Sequence, residues 1–261
     1  MSAVNNEKDL KEVKIVRYDN SFNKTSLNVL TEVQSDILMA VLERMGNKMS
    51  KDSDGNDCYL AKYEFKEIRE MIDSKNMHSY KIKKVFDALL DTKVEFFEDG
   101  KYTKGNLFSH YTLTGKSTVE IVISNQLTKK LIVSKERYTI LELDEYVSLR
   151  NKYSKELYRL LRQFRHSGIL IIKKEDLMKL LKKPQTYDEY KYVKRVIEKA
   201  IKDNSEFFED LKLINMEGSR LPEVCKFTFK PHERQDLEKL FSGKSDEEIE
   251  LLKYIIEHGG R

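Results

Sequence analysis

Apolar residues recur along the chain with two periods, and the changes of period mark its elements. Leu27, Leu30, Val33, Ile37, Leu38, Val41, Leu42 and Met45 follow at three- and four-residue steps and stop at Gly46, the repeat that lines one face of a helix. Tyr59 and Leu60 lead into a short helical pattern through Phe65, Ile68 and Ile72. Met77, His78 and Ser79 turn the chain, and a further helix carries Ile82, Val85, Phe86, Leu89 and Leu90 inward to about Asp91. The period then becomes extended over 94–97, 107–113 and 119–123, with Gly100, Gly105 and Gly115 at the bends. Helix, short helix, helix and β-hairpin is the order of a winged helix. A short helix is expected over 125–133 and an extended stretch over 138–143. Residues 1–24 are polar apart from the alternation Val13-Lys14-Ile15-Val16, which predicts either an edge strand or a frayed tail.

The same order then starts again. Tyr153, Leu157, Leu160, Leu161 and Phe164 make a helical stripe that stops at Gly168, where glycine can supply a left-handed cap. A strand over 169–172, a short helix over 173–181 closed by Pro184, and a longer helix over 188–202 follow. The last of these buries Val193, Val196, Ile197, Ala200 and Ile201. Stretches 211–214 and 224–229 read as a hairpin around Gly218. At a constant offset of 111, KKVFDALLDTKVEFFED from Lys83 lies against KRVIEKAIKDNSEFFED from Lys194, and both end in Glu-Phe-Phe-Glu-Asp. The fold class expected is α+β, two tandem winged-helix domains related by internal duplication. The divisions are an N-terminal tail (1–26), a first winged-helix domain (27–140), a second (141–232) and a C-terminal tail (233–261). In that last tail Ser245 and Glu248 form a capping-box pattern ahead of Ile249, Leu252, Ile255 and Ile256, which predicts one helix over 245–258.

Charge changes the picture. The chain carries 48 basic and 44 acidic side chains, a net +4. Within 151–202 the basic residues outnumber the acidic ones by 15 to 6. That local surplus points to a polyanion partner more directly than the net charge does. No apolar run approaches the roughly 20 residues that span a bilayer, and the opening MSAVNNEKDLKEVKI has acids where a signal peptide would be apolar. A soluble, cytoplasmic protein with no membrane partner is expected. Cys58 and Cys225 lie far apart, without Cys or His neighbours at ligand spacing, so reduced packing thiols are expected and no metal.

The basic residues cluster on two helices of the second copy. Lys191, Lys194, Arg195, Lys199 and Lys202 recur opposite an apolar stripe, the pattern of a recognition helix that enters a major groove. Lys152, Lys155, Arg159 and Arg162 line the polar side of the preceding helix, and there they are expected to clamp phosphates. Arg220 would touch DNA from the wing. The corresponding helix of the first copy offers His78, Ser79, Lys81 and Lys84, but also Asp87 and Asp91, so weaker DNA contact is expected there. The five histidines are dispersed, with no H-x-H or H-E-x-x-H pair, and no G-x-x-x-x-G-K-[ST] loop occurs. No catalytic residue, no cofactor and no enzymatic activity are expected.

Four stretches carry a resemblance. Asn28-x-Leu30-Thr31, Ile121-Val-Ile-Ser-Asn-Gln-Leu, LRNKYSKELYRLLRQF from Leu149 and Tyr190-x-x-Val-Lys-Arg-Val-Ile-x-x-Ala-Ile201 are similar, in this order, to the iteron-binding plasmid replication initiators of the Rep_3 or RepB type. The match covers about residues 27–230. It implies a non-enzymatic initiator with two winged-helix domains, which binds repeated origin sites in double-stranded DNA and helps open the duplex. It further implies recruitment of the host initiator and helicase, and autorepression as a homodimer at an operator. In such proteins the second domain dominates operator binding and the first supports dimerisation. A two-domain transcriptional repressor, a protein-interaction module and a nicking endonuclease are the competing readings; the missing histidine pair weighs against the last.

Overall fold

The structure, a computed structural model, describes residues 13–45, 50–51, 55, 57–71, 78–98, 101–115, 117–123, 138–181, 189–214 and 223–231. Among them the elements run β1 (Ile15–Asp19), a 3-10 helix (Asn20–Lys24), α1 (Glu32–Met45), β2 (Ser50–Lys51), β3 (Asp57–Cys58), β4 (Leu60–Glu64), α2 (Phe65–Met71) and α3 (Ser79–Leu90). Then come β5 (Lys93–Glu98), β6 (Lys101–Asn106), β7 (Phe108–Thr114), β8 (Thr118–Ile123), β9 (Tyr138–Glu142), α4 (Leu143–Ser148) and α5 (Lys152–Gln163). The chain continues through β10 (Ile169–Lys173), α6 (Lys174–Leu181), α7 (Glu189–Asn204), β11 (Lys212–Ile214) and β12 (Val224–Thr228).

Helix α1 begins where Thr31 and Gln34 cap each other. The Gln34 N–H donates to Thr31 Oγ1 at 3.3 Å and the Thr31 N–H to Gln34 Oε1 at 2.8 Å, satisfying two amides that the first turn leaves without helical partners. Its apolar stripe is buried as the spacing predicts, as is that of α3 through Ile82, Val85, Phe86 and Leu89. Strands β7 and β8 form a hairpin turned at Gly115 (φ 64°), and β4 pairs with β8 from the other side, giving the order β4-β8-β7. The third strand was hidden in the sequence, where Tyr59 and Leu60 lead straight into a helical pattern. In the fold Ala61 and Tyr63 alternate inward beyond them. Strands β5 and β6 make a separate hairpin between α3 and the wing.

The second unit runs α5, β10, α6, α7, β11 and β12 with strand order β10-β12-β11. Both units thus have helix, strand, two helices and a hairpin, with the first strand joined to the third. The repeated Glu-Phe-Phe does not share that likeness. Glu95, Phe96 and Phe97 lie in β5, whereas Glu206, Phe207 and Phe208 lie in turns after α7. Helix α3 stops at Leu90 while α7 continues to Asn204, so identical letters at one offset occupy a strand in one place and a turn in the other.

Strand β1 pairs antiparallel with β9, from Ile15 opposite Glu142 to Asp19 opposite Tyr138. Val16, Tyr18 and Phe22 are fully buried. Residues 15–24 are therefore part of the core, and the expected tail up to 26 is corrected to that extent. The β1–β9 ribbon packs between α1 and α5, and one continuous apolar core runs through both units. The helix expected over 125–133, Pro184, the turn at Gly218 and the helix over 245–258 lie outside the described residues.

Candidate nucleic-acid interface

Helix α7 buries Val193, Ile197 and Ala200 and turns Arg195, Glu198, Lys199 and Lys202 to solvent. Lys194 is half-buried and stands 3.9 Å from Glu198; Lys199 pairs with Asp203 at 2.7 Å. Arg195 and Lys202 have no ion-pair partner among the described residues, so their charge is available to a ligand. Lys191 lies on α7, but its side chain is outside the described set, as is Arg220. The helix is aimed by polar pins to α5. Asn204 Nδ2 donates to the Ser154 and Ala200 carbonyls at 2.9 and 2.8 Å, and Ser154 Oγ donates to Asp203 at 2.7 Å.

Helix α5 does not present the phosphate clamp expected of it. Lys152 is half-buried at its first turn, with Nζ 5.3 Å from the centre of the Tyr153 ring. Lys155 is 1% exposed, and its Nζ donates to Asp36 at 2.5 Å and to the Tyr146 carbonyl at 2.6 Å. Arg159 is also 1% exposed and donates to Glu156 (2.9 Å) and to the carbonyls of Phe22 (2.6 Å) and Thr25 (3.3 Å). Arg162 donates to the Ile140 carbonyl at 3.1 Å and pairs with Glu142 and Glu145 at 3.3 and 3.4 Å. Glu156 accepts the Leu27 N–H at 2.5 Å. Lys155, Arg159 and Arg162 therefore cannot reach a phosphate while this fold persists. The polar side of α5 meets the segment 20–28, the 3-10 helix and the turn after it, whose buried carbonyls require donors, and a wheel drawn from sequence takes that side to be solvent.

Asn28 and Ser26 complete the seam by donating to the Leu180 carbonyl at 2.6 and 2.7 Å. Burial pushes the Asp36 carboxyl up to about 6 against the opposing pull of Lys155, and burial likewise lowers Lys155. Both directions say that desolvation outweighs the attraction within this pair. Arg159 differs: burial lowers it, but Glu156 and the tyrosines around it leave it above the usual range. Arg165 is pulled down to about 10 by burial and then by Arg162.

On α3, Ser79, Lys81 and Lys84 are exposed as a DNA-facing end requires. Ser79 accepts from Arg69 at 3.3 Å. Asp91 is exposed, but Asp87 accepts the Tyr111 hydroxyl at 2.6 Å and so ties α3 to the wing. Two residues escaped the sequence reading. Tyr80 is 58% exposed, its ring stacked 6.0 Å from His78 with Lys84 Nζ 5.8 Å away. With Lys83, Phe65 and Leu113 it borders a groove of about 250 Å³ between α3 and the wing. The available signal was the step of three from Tyr80 to Lys83, off the apolar stripe. Among the described residues no group of three or more His, Cys, Asp or Glu could hold a metal ion, and no helix is long and apolar enough to cross a membrane.

A family model described as Initiator Replication protein, WH1, matches residues 15–162. The chain belongs to this initiator family. The matched span begins with β1 and ends inside α5, so it takes in the first unit, the ribbon and the charged seam together. The initiator is 27% identical over 224 residues to a "Probable replication protein rep" of Bifidobacterium longum (strain NCC 2705), an alignment covering 82% of this chain and 72% of the relative. Its fold is similar to that in the crystal structure of Pi initiator protein in complex with iteron DNA. The TM-score is 0.63 at 18% identity, over 85% of this chain and 99% of the other. At that identity the likeness speaks to the fold.

Proposed function

We propose that this initiator binds repeated origin sequences, iterons, in double-stranded plasmid DNA, promotes opening of the origin and recruits host replication proteins. The observation that carries the reading is the solvent-facing basic stripe of α7, set in a three-stranded winged-helix unit of a chain that belongs to an initiator family. In this reading α7 lies in the major groove with Lys191, Lys194, Arg195, Lys199 and Lys202 at bases or flanking phosphates. Lys152 meets phosphate at the start of α5, and Arg220 meets DNA from the second wing. The first unit adds Ser79, Lys81, Lys84 and the newly placed Tyr80 and Lys83. It also supports a homodimer that represses the initiator's own gene.

The shared strand order supports two winged-helix domains, about 27–140 and 141–232, related by duplication. Their common ancestry rests on connectivity rather than on the Glu-Phe-Phe run. The protein acts by binding, without a chemical step or cofactor of its own, in the cytoplasm. Footprinting on the DNA flanking its own gene tests the proposal. Protection of several evenly spaced repeats beside an AT-rich tract is expected, with affinity that falls steeply with salt as phosphate contacts release counterions. Protection of a single palindrome, or a flat salt response, would overturn it.

A further inference from the structure

The sheet of the second unit has one buried face and one bare face. Register places Ile169, Ile171, Lys173, Val224, Lys226 and Lys212 on the same side, because residues directly opposite in an antiparallel ladder point the same way. The other side, with Leu170, Cys225, Phe227 and Leu213, is buried against the helices. On the bare side Ile171 is 60%, Val224 50% and Ile169 41% exposed. Lys173, Lys212 and, on the central strand, Lys226 are exposed among them, Ile214 and Thr228 on the same side are half-buried, and this face carries no acid. Apolar side chains interleaved with lysines, and no carboxylate among them, make a surface suited to an amphipathic acidic element.

We propose that residues 245–258 of this same chain dock on that face as an acidic amphipathic helix. Three observations favour this occupant over a separate partner. The first is sequence pattern: Ile249, Leu252 and Ile256 share one helical face, and Asp246, Glu247, Glu248, Glu250 and Glu257 stand against a single lysine, Lys253. The charge is the complement of Lys173, Lys212 and Lys226. The second is where the described chain leaves the fold. The Phe229 N–H donates to the Gly168 carbonyl at 2.9 Å, and Pro231 lies against Gly168, so the chain departs beside the first residue of β10. The third is reach. The thirteen residues from 232 to 244 span up to roughly 40 Å when extended, and a five-residue strand is only about 17 Å long. A fourteen-residue helix over 245–258 is about 21 Å long, enough to cover the strands from end to end.

Docking would bury Ile171 and Val224 and hold the three lysines in local pairs. The test is disulfide trapping in the full chain carrying Ile171→Cys and Leu252→Cys, at low micromolar protein, with Glu250→Cys replacing Leu252→Cys as the control on the opposite face. The expected result is rapid oxidation to a link within one chain for the 171–252 pair, and at least tenfold slower linkage for the 171–250 pair. A Leu252→Glu, Ile256→Glu full-chain variant should meanwhile increase binding of a hydrophobic dye, and Ile171→Glu in the same chain should reverse the increase. Linkage between two chains, equal rates for both pairs, or dye binding unaffected by the tail substitutions would overturn the proposal. None of these readouts involves DNA, so they stand or fall separately from the proposed function.

Discussion

Helices α5 and α7 are adjacent, both are rich in lysine and arginine, and both carry an apolar stripe, yet their charges do opposite work. On α5 Lys155, Arg159 and Arg162 are sealed between the two units, where they satisfy backbone carbonyls and carboxylates. On α7 Arg195 and Lys202 face water. Basic character along a helix thus says that anions are near; what the opposite side of the helix meets decides whether those anions are the protein's own. Polar pins through Ser154 and Asn204 make the two roles interdependent, since the buried helix sets the bearing of the exposed one.

The contrast breaks most visibly at Arg159. Arg159→Ala removes the ionic partner of Glu156 and the side-chain donor to the Phe22 and Thr25 carbonyls, and a loss of about 3–5 kcal/mol is expected in urea unfolding; a loss under about 1 kcal/mol would mean the seam is not structural. Gly168→Ala follows. Its φ of 64° disfavours any Cβ, and a Cβ there would lie 2.4 Å from the Phe229 carbonyl oxygen. The joint between α5 and β10 must then shift, for about 1–3 kcal/mol from backbone strain alone. Arg195→Ala should cost about 1–3 kcal/mol in affinity for an origin repeat while stability stays within about 0.5 kcal/mol, as gel shift and unfolding can show side by side.

A further effect is in pH. Asp36 is raised from 3.8 to about 6, so over that window the folded chain holds a proton the unfolded chain has released. Its contribution is full below the lower value and is lost as pH rises through the upper. Asp36→Asn should flatten this part of the stability profile measured between pH 4 and about 7. An unchanged slope would place the titration elsewhere.

Much of this was legible in the spacing of apolar residues. The stripes of α1, α3, α5 and α7 and the hairpin at Gly115 follow from period and turn chemistry, because each is fixed by neighbours close in sequence. What was not legible depends on contacts far apart. The pairing of β1 with β9 and of β4 with β8 joins segments that no local pattern links. The burial of Lys155 is set by Asp36, more than a hundred residues earlier. The Glu-Phe-Phe repeat misled for the same reason, since a five-letter identity does not fix whether the chain extends or turns. Within the candidate site, Arg195 and Lys202 were readable as solvent-facing by their position opposite Val193 and Ile197. Tyr80 was marked only by its place off the apolar stripe, three residues before Lys83, and the groove it borders, which joins α3 to the wing, is not visible in sequence.

The most direct test compares two charge removals by the salt dependence of binding to an origin duplex. One is Arg195→Ala with Lys202→Ala on α7. The other is Lys155→Met with Asp36→Leu, which empties the seam of one buried pair and can keep stability near the native value. The α7 variant should lose affinity and shed roughly two units of slope in log K against log salt, while the seam variant keeps both. A folded seam variant that loses the slope, beside an α7 variant that retains it, would contradict the account.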